Sequence, residues 1–133
     1  GPTRIPENLL TRVYSFDGKK FWPKFEELTH CQEILEAKNR PSKPGGKVTR
    51  KFSALGIVQE SFKQLLQEKE GVRFQGPPSV FLDDRQSEVW VRGSLHECEV
   101  VKHLLAKMHC HPIDITRDRV LRERRNQPVP EAI

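Results

Sequence analysis

Apolar residues recur at helical spacing in the first third of the chain. The spacing runs through Phe21, Phe25, Leu28, Ile34 and Leu35. Pro23 suits the first turn of a helix, so this pattern predicts a helix over residues 23–38. Its apolar stripe requires burial against another part of the protein.

The segments on either side of this helix have turn and linker character. Asp17-Gly18 separates two aromatic stretches, residues 13–16 and 20–22, and suits a tight turn. A small hairpin is therefore expected, with a helix over residues 7–14 as the alternative. Residues 39–46 contain two prolines and two glycines, which disfavour regular structure and indicate a linker. The sequence thus predicts an N-terminal extension, residues 1–46.

Strand and helix patterns then alternate over residues 47–110. Extended structure is predicted at residues 47–52, at 72–75 with a continuation at 80–82, and at 88–92. Helices are predicted at residues 61–70 and from Leu95 to about Met108, the second starting at a capping box formed by Ser94 and Glu97. Residues 83–87 form a polar turn. This order predicts an α+β unit, in which helices pack on one face of a three-stranded sheet.

The same segment resembles the K-homology (KH) RNA-binding domain. Ala54-Leu55-Gly56 resembles the residues that lead into the GxxG loop of that family, and Gly71-Val72-Arg73-Phe74 resembles the opening of its second strand. Phe62 and Leu65 match apolar positions of its second helix, and residues 88–93 with the following helix complete the pattern. The resemblance covers residues 47–110 and implies a type I KH-like fold that binds RNA.

The sequence departs from the family at the GxxG loop itself. In register, the motif falls on Gly56, Ile57, Val58 and Gln59, so the second glycine is replaced by glutamine. In the family, this loop lets a nucleic-acid backbone approach closely. The side chain of Gln59 obstructs that approach, and Ile57 and Val58 supply no charge. The resemblance is therefore to a degenerate KH domain, whose altered loop either docks a protein or continues as helix.

Basic residues identify the candidate contacts to nucleic acid. The chain has 23 basic and 18 acidic residues, a mild positive bias that is compatible with nucleic acid. In the predicted C-terminal extension, residues 111–133, the segment TRDRVLRERR at 116–125 predicts a basic helix, with a solvated tail as an equal alternative. The candidate phosphate contacts are Arg50, Lys51, Lys63, Arg73, Arg117, Arg119, Arg122, Arg124 and Arg125.

Two tryptophans are candidates for stacking or for packing. Trp22 lies among lysines, a combination that stacks bases in single-strand binding proteins, although packing against the core is the favoured interpretation. Trp90 alternates with Val89 and Val91, so it lies either in the core or on the opposite, open face of the sheet.

The remaining residue patterns argue against other classes of function. The three cysteines are widely spaced, and residues of zinc-ligand type, from His30-Cys31 to Cys98 and residues 103–111, lack the spacing of a metal site. No nucleotide-binding or hydrolase motif is present, so we expect no enzyme, cofactor, metal or small-molecule substrate. The sequence has neither a long apolar run nor a signal-peptide core, so we expect an intracellular protein, in cytoplasm or nucleus, without a membrane partner.

The sequence therefore predicts an adaptor with a degenerate KH-like domain. We expect it to bind single-stranded RNA weakly or through its basic flanking segments. The alternative is a protein-interaction or homodimerisation module that does not contact nucleic acid, in which Gly56, Ile57, Val58 and Gln59 form the docking segment.

Overall fold

A computed structural model describes residues 9–41, 45–46, 51–74 and 80–126, with residues 123–126 described by their backbone only. The elements are β1 (Leu10–Ser15), α1 (Gly18–Thr29), α2 (Cys31–Lys38), α3 (Ala54–Glu70), β2 (Val80–Asp83), β3 (Glu88–Gly93), α4 (Leu95–Lys107), β4 (Ile113–Asp114) and α5 (Thr116–Asn126). No helix within these described ranges is long and apolar enough to cross a membrane.

The four strands form an antiparallel sheet in the order β2-β3-β1-β4. The predicted three-stranded sheet is therefore wrong by one strand. Its predicted first strand, residues 47–52, lies mostly outside the described residues, and Lys51 and Phe52 are in no strand. Val72 to Phe74 are not in a strand either, and Gln75 lies outside the described residues.

One of the two inner strands, β1, comes from the segment that the sequence assigned to an N-terminal extension. The predicted hairpin around Asp17-Gly18 is wrong, and so is a helix over residues 10–14, because β1 leads directly into α1. Asp17 caps this helix by accepting a hydrogen bond from the backbone N–H of Lys19 at 3.1 Å. Gly18 lies close to Ser87, because a Cβ atom at position 18 would collide with the side chain of Ser87.

The chain order is that of a split β-α-β arrangement. Helices α1 to α3 connect β1 to β2, and α4 connects β3 to β4, while β1 lies between β3 and β4. The single helix predicted over residues 23–38 is divided in two, because His30 adopts a left-handed conformation with φ of 53°. Of the predicted second strand, only the continuation at 80–82 is confirmed, as β2. The predicted β3, α4 with its Ser94–Glu97 capping box, and the helical alternative for α5 are also confirmed.

Helices cover both faces of the sheet, in contrast to the prediction of one covered face. We call the side formed by Tyr14, Val80, Leu82, Val89 and Val91 the core face, because all five are buried in one cluster with residues of α1, α3 and α4. Side chains alternate along a strand, so Phe81 and Trp90 point to the opposite side, which we call the second face. Helix α5 lies against this second face next to β1.

Candidate nucleic-acid interface

The predicted GxxG segment is not a loop, because Gly56 to Gln59 lie inside α3. The hydroxyl of Ser53 accepts a hydrogen bond from the backbone N–H of Gly56 at 3.0 Å and thereby caps the helix seven residues earlier than the predicted start at Ser61. Of the two alternatives for the altered loop, protein docking or continuous helix, the structure has the continuous helix. No backbone amides remain exposed there in the manner of a phosphate-binding loop.

The side chains of Ile57, Val58 and Gln59 all contact other parts of the protein. Ile57 is only 6% exposed and belongs to the core, while Val58 packs partly against it. The side-chain amide of Gln59 donates to the backbone oxygen of Leu82 at 2.7 Å and accepts from the backbone N–H of Leu82 at 2.7 Å. Leu82 lies in β2, an edge strand, so Gln59 occupies the groups that a further strand would use. Docking a protein on Ile57 would require opening the core.

Trp22 packs against other aromatic residues of the core. Its ring lies edge-on to Phe21, at 4.8 Å between centroids, and to Phe25, at 5.9 Å. It remains partly exposed. This arrangement agrees with the interpretation that the sequence favoured, packing of α1 onto the core.

The predicted basic contacts fall on three surfaces, of which the first two adjoin, because Glu60 and Gln64 line both of their pockets. Lys63 and Arg73 border one pocket, Lys51 borders another, and Arg119 and Arg122 border a third. Arg117 is exposed on α5, whose backbone also includes Arg124 and Arg125. Arg50 lies outside the described residues. The sequence therefore named residues that the fold does not bring into a single site.

The third surface combines aromatic and charged side chains on the second face of the sheet. It is a pocket of about 520 Å³ lined by Phe81, Asp83, Gln86, Glu88, Trp90, Arg119 and Arg122. We call it the sheet pocket. Phe81 and Trp90 are directly opposite each other in the β2–β3 register, so their rings lie on the same side of adjacent strands. Phe81 is 37% exposed, and Trp90 is half-buried.

Polar contacts fix α5 against this pocket. Glu88 is only 5% exposed, and its carboxylate accepts a hydrogen bond from Nε of Arg119 at 3.0 Å. The guanidinium of Arg119 also donates to the side-chain oxygen of Gln86. The guanidinium of Arg119 is therefore already bonded to Glu88 and Gln86. To contact a phosphate as predicted, it would have to share its N–H donors with these two residues.

The start of α5 is anchored on β1 and β4. The backbone N–H of Val13 donates to the hydroxyl of Thr116 at 2.9 Å, and the backbone N–H of Thr116 donates to Asp114 at 2.9 Å. Burial acts to raise the pKa of Asp114, but the hydrogen bonds from Thr116 outweigh it, so this pKa lies below its usual value. Asp114 is thus ionised and bonded at neutral pH, which stabilises the position of α5.

Two arginines leave positive charge available near the sheet pocket. Arg122 is exposed and forms no ion pair with any residue that the structure describes. Arg92 is exposed on the same face of β3 as Trp90, two residues further along the strand. Cations that flank two partly exposed aromatic rings suit the phosphates and bases of a single strand.

The sequence missed Phe81 as a site residue. The alternation of buried Val80 and Leu82 around it contained the signal for its orientation, as Val89 and Val91 did for Trp90. The pairing of the two rings depends on the strand register, which the sequence did not provide.

The residues of zinc-ligand type do not assemble into a site. Cys31, Cys98 and Cys110 are buried, and burial raises the pKa of all three thiols. Within the described ranges, no three side chains of histidine, cysteine, aspartate or glutamate converge as metal ligands would.

Comparisons with protein-family models, with curated proteins and with solved structures found no match for this chain. The resemblance to the KH family therefore stays a prediction.

Proposed function

We propose that this protein binds single-stranded RNA weakly, as an adaptor, in the sheet pocket between β2, β3 and α5. The observation that carries this proposal is the cross-strand pair of Phe81 and Trp90, partly exposed on one face of an antiparallel sheet. Bases stack on such rings, and stacking is worth about 1 to 3 kcal/mol per base. The sheet supplies this surface in place of the predicted GxxG loop.

The flanking charges support the same proposal. Arg122 lines the pocket, and Arg92 is exposed two positions after Trp90 on the same face of β3, so both can contact phosphates of a strand that stacks on the rings. Part of the charge near the pocket is already neutralised, because Arg119 pairs with Glu88. Weak, salt-dependent binding follows from so few available cations.

A tryptophan fluorescence titration tests the proposal directly. The chain contains two tryptophans, so a Trp22→Phe variant leaves Trp90 as the only fluorophore of this kind. We expect single-stranded RNA to quench this fluorescence, because a base stacked on Phe81 lies next to the ring of Trp90. The apparent affinity should fall as salt concentration rises.

A matched pair of variants supplies the control. Phe81→Ala removes a ring that is 37% exposed in the sheet pocket, whereas Phe52→Ala removes one that is 41% exposed elsewhere. Phe81→Ala should weaken binding roughly 5- to 150-fold, and Phe52→Ala should leave it unchanged. Absence of binding at low salt, or equal losses in the two variants, would show that this face does not bind RNA.

Protein interaction is the second candidate function, and the exposed apolar residues near the start of α3 favour it. Phe52 and Leu55 are 41% and 44% exposed and lie near a pocket bordered by Ile34 and Ile57. A homodimer formed through this surface would be detected by mass measurement in solution. Leu55→Asp should then restore the monomer, while Phe81→Ala should leave the dimer intact.

A further inference from the structure

The carboxylate of Asp83 borders the sheet pocket beside the aromatic pair. Asp83 follows Phe81 by two positions in β2, so both side chains point to the second face of the sheet. One carboxylate oxygen, Oδ1, accepts hydrogen bonds from the backbone N–H groups of Arg85 at 3.0 Å and Gln86 at 3.2 Å. These two bonds hold the half-buried carboxylate at the rim.

The two carboxylates at this end of the pocket, those of Asp83 and Glu88, differ in whether a basic side chain neutralises them. Asp83 and Glu88 are directly opposite each other in the strand register. Glu88 is neutralised by Arg119, whereas Asp83 forms no ion pair with any residue in the described part of the chain. An ionised carboxylate can only accept hydrogen bonds. Among the described residues no donor bonds Oδ2 of Asp83, and Asp83 borders the pocket, so this oxygen can accept a hydrogen bond from a ligand there.

The pocket thus combines an aromatic surface, a cation at Arg122 and an acceptor at Asp83. A nucleotide whose base carries an exocyclic amino group is complementary to all three, because its base stacks, its phosphate pairs with the arginine and its amino group donates. Uracil lacks that amino group, and its one base-edge donor, N3–H, lies between two carbonyl oxygens that a carboxylate repels. Aspartate and glutamate accept hydrogen bonds from the N4 amino group of cytosine in this way.

We infer that the sheet pocket selects bases with an exocyclic amino group over uracil, with Asp83 as the residue that determines this specificity. The inference rests on the proposed function, because it concerns the same pocket. Oligo(C) and oligo(U) of equal length are the direct probes, since both carry pyrimidines on the same backbone. We expect the protein to bind oligo(C) roughly tenfold more tightly.

Two adjacent aspartates allow a test with matched charge. Asp83→Asn removes the negative charge at the rim but keeps an oxygen for the turn, and it supplies a donor to the carbonyl groups of uracil. The C-over-U preference should fall to within about twofold, mainly because oligo(U) binds better. Asp84→Asn makes the same change of net charge at an exposed neighbour and should keep the preference.

The outcomes separate this inference from the proposed function. If neither oligonucleotide binds the wild-type protein, both are overturned. Equal binding of the two by the wild type, a preference that survives Asp83→Asn, or an equal loss in both variants would overturn the selectivity alone. An oligonucleotide of N4,N4-dimethylcytosine keeps the test decisive if Asp83→Asn does not fold, because the wild type should bind it no better than oligo(U).

Discussion

The two faces of the sheet are covered in different ways. On the core face, Tyr14, Leu82 and Val91 are buried beneath three helices. On the second face, α5 is the one helix among the described elements, and Phe81 keeps a partly exposed ring. The core face is thus closed to ligands, whereas the second face retains an open pocket.

The difference lies in the kind of contact that each face uses. Burial of apolar area stabilises the core face in proportion to the area removed from water. On the second face Val13, opposite Trp90, is also fully buried. Helix α5, however, is held there by the ion pair of Arg119 with Glu88 and by hydrogen bonds of Thr116, and its Leu121 is 42% exposed. Polar contacts can exchange partners with a polar ligand, so binding is expected on the second face.

The largest effect should come from placing a charge on the closed side. Ile57→Lys puts an ammonium group where the side chain is 6% exposed, and we expect it to lower the free energy of unfolding by at least about 4 kcal/mol. Leu55→Lys makes the same change two residues earlier, at a position 44% exposed, and should have little effect. Urea denaturation of both variants measures the difference.

This pair also examines the degenerate-loop interpretation. A lysine at residue 57 would restore RNA affinity if the segment were a phosphate-binding loop. The structure predicts that Ile57→Lys weakens RNA binding by unfolding the protein, while Leu55→Lys leaves it intact. A stable Ile57→Lys protein with higher affinity would contradict the position of Gly56 to Gln59 within a helix.

Alkaline pH should weaken the core face through Tyr14, the only tyrosine in the chain. Burial, and next the proximity of Cys98, raises the pKa of Tyr14 from 10.0 to about 12. Its contribution to stability is complete below pH 10, its unfolded value, and is lost as the pH rises through about 12. At about 1.4 kcal/mol per pKa unit, the loss approaches about 3 kcal/mol.

Tyr14→Phe isolates this contribution from the titration of lysines in the same range. The variant should lose less stability between pH 10 and 12 than the wild type, by an amount that denaturation at each pH measures. Tyrosinate absorbance of the wild type reports the ionisation itself. A pKa of about 10 for Tyr14, or equal stability profiles against pH for the wild type and Tyr14→Phe, would show that water reaches the hydroxyl of Tyr14 on the core face.

The smallest of these effects concerns the β2 edge, where the two faces meet. Gln59→Ala removes both hydrogen bonds to the backbone of Leu82 and should cost about 1 to 3 kcal/mol of stability. It should also speed hydrogen exchange at the amide of Leu82. Gln67→Ala, at an exposed position of the same helix, should change stability by less than about 0.5 kcal/mol. Equal effects in the two variants would mean that the bonds of Gln59 contribute nothing.

Elements with local signals could be predicted from the sequence. The capping box of Ser94 and Glu97, the alternation in β3 and the basic segment of α5 each depend on neighbouring residues, and all three appear in the structure. For Trp90 the sequence left two positions open, the core or the opposite face, and the strand register places it on the second face. Local chemistry was therefore sufficient for these features.

The failed predictions depended on contacts between distant residues. Asp17-Gly18 has the composition of a tight turn, but Asp17 caps a helix that starts at Gly18, where the approach of Ser87 leaves no room for a side chain. In the register of the KH resemblance Gln59 obstructs a GxxG loop, whereas its actual partner is Leu82, 23 positions away. Phe81 becomes a site residue only when the strand register sets it beside Trp90. Such pairings are properties of the folded chain.

The bonds of Gln59 have a consequence for self-association at high protein concentration. Free backbone groups on an outer strand act as a template on which other copies add strands, a common origin of aggregation. Here an intramolecular side chain already occupies both groups of Leu82, and the opposite outer strand, Ile113–Asp114, has only two residues. We expect intermolecular growth of this sheet to be disfavoured, so that assemblies of this protein form through side chains.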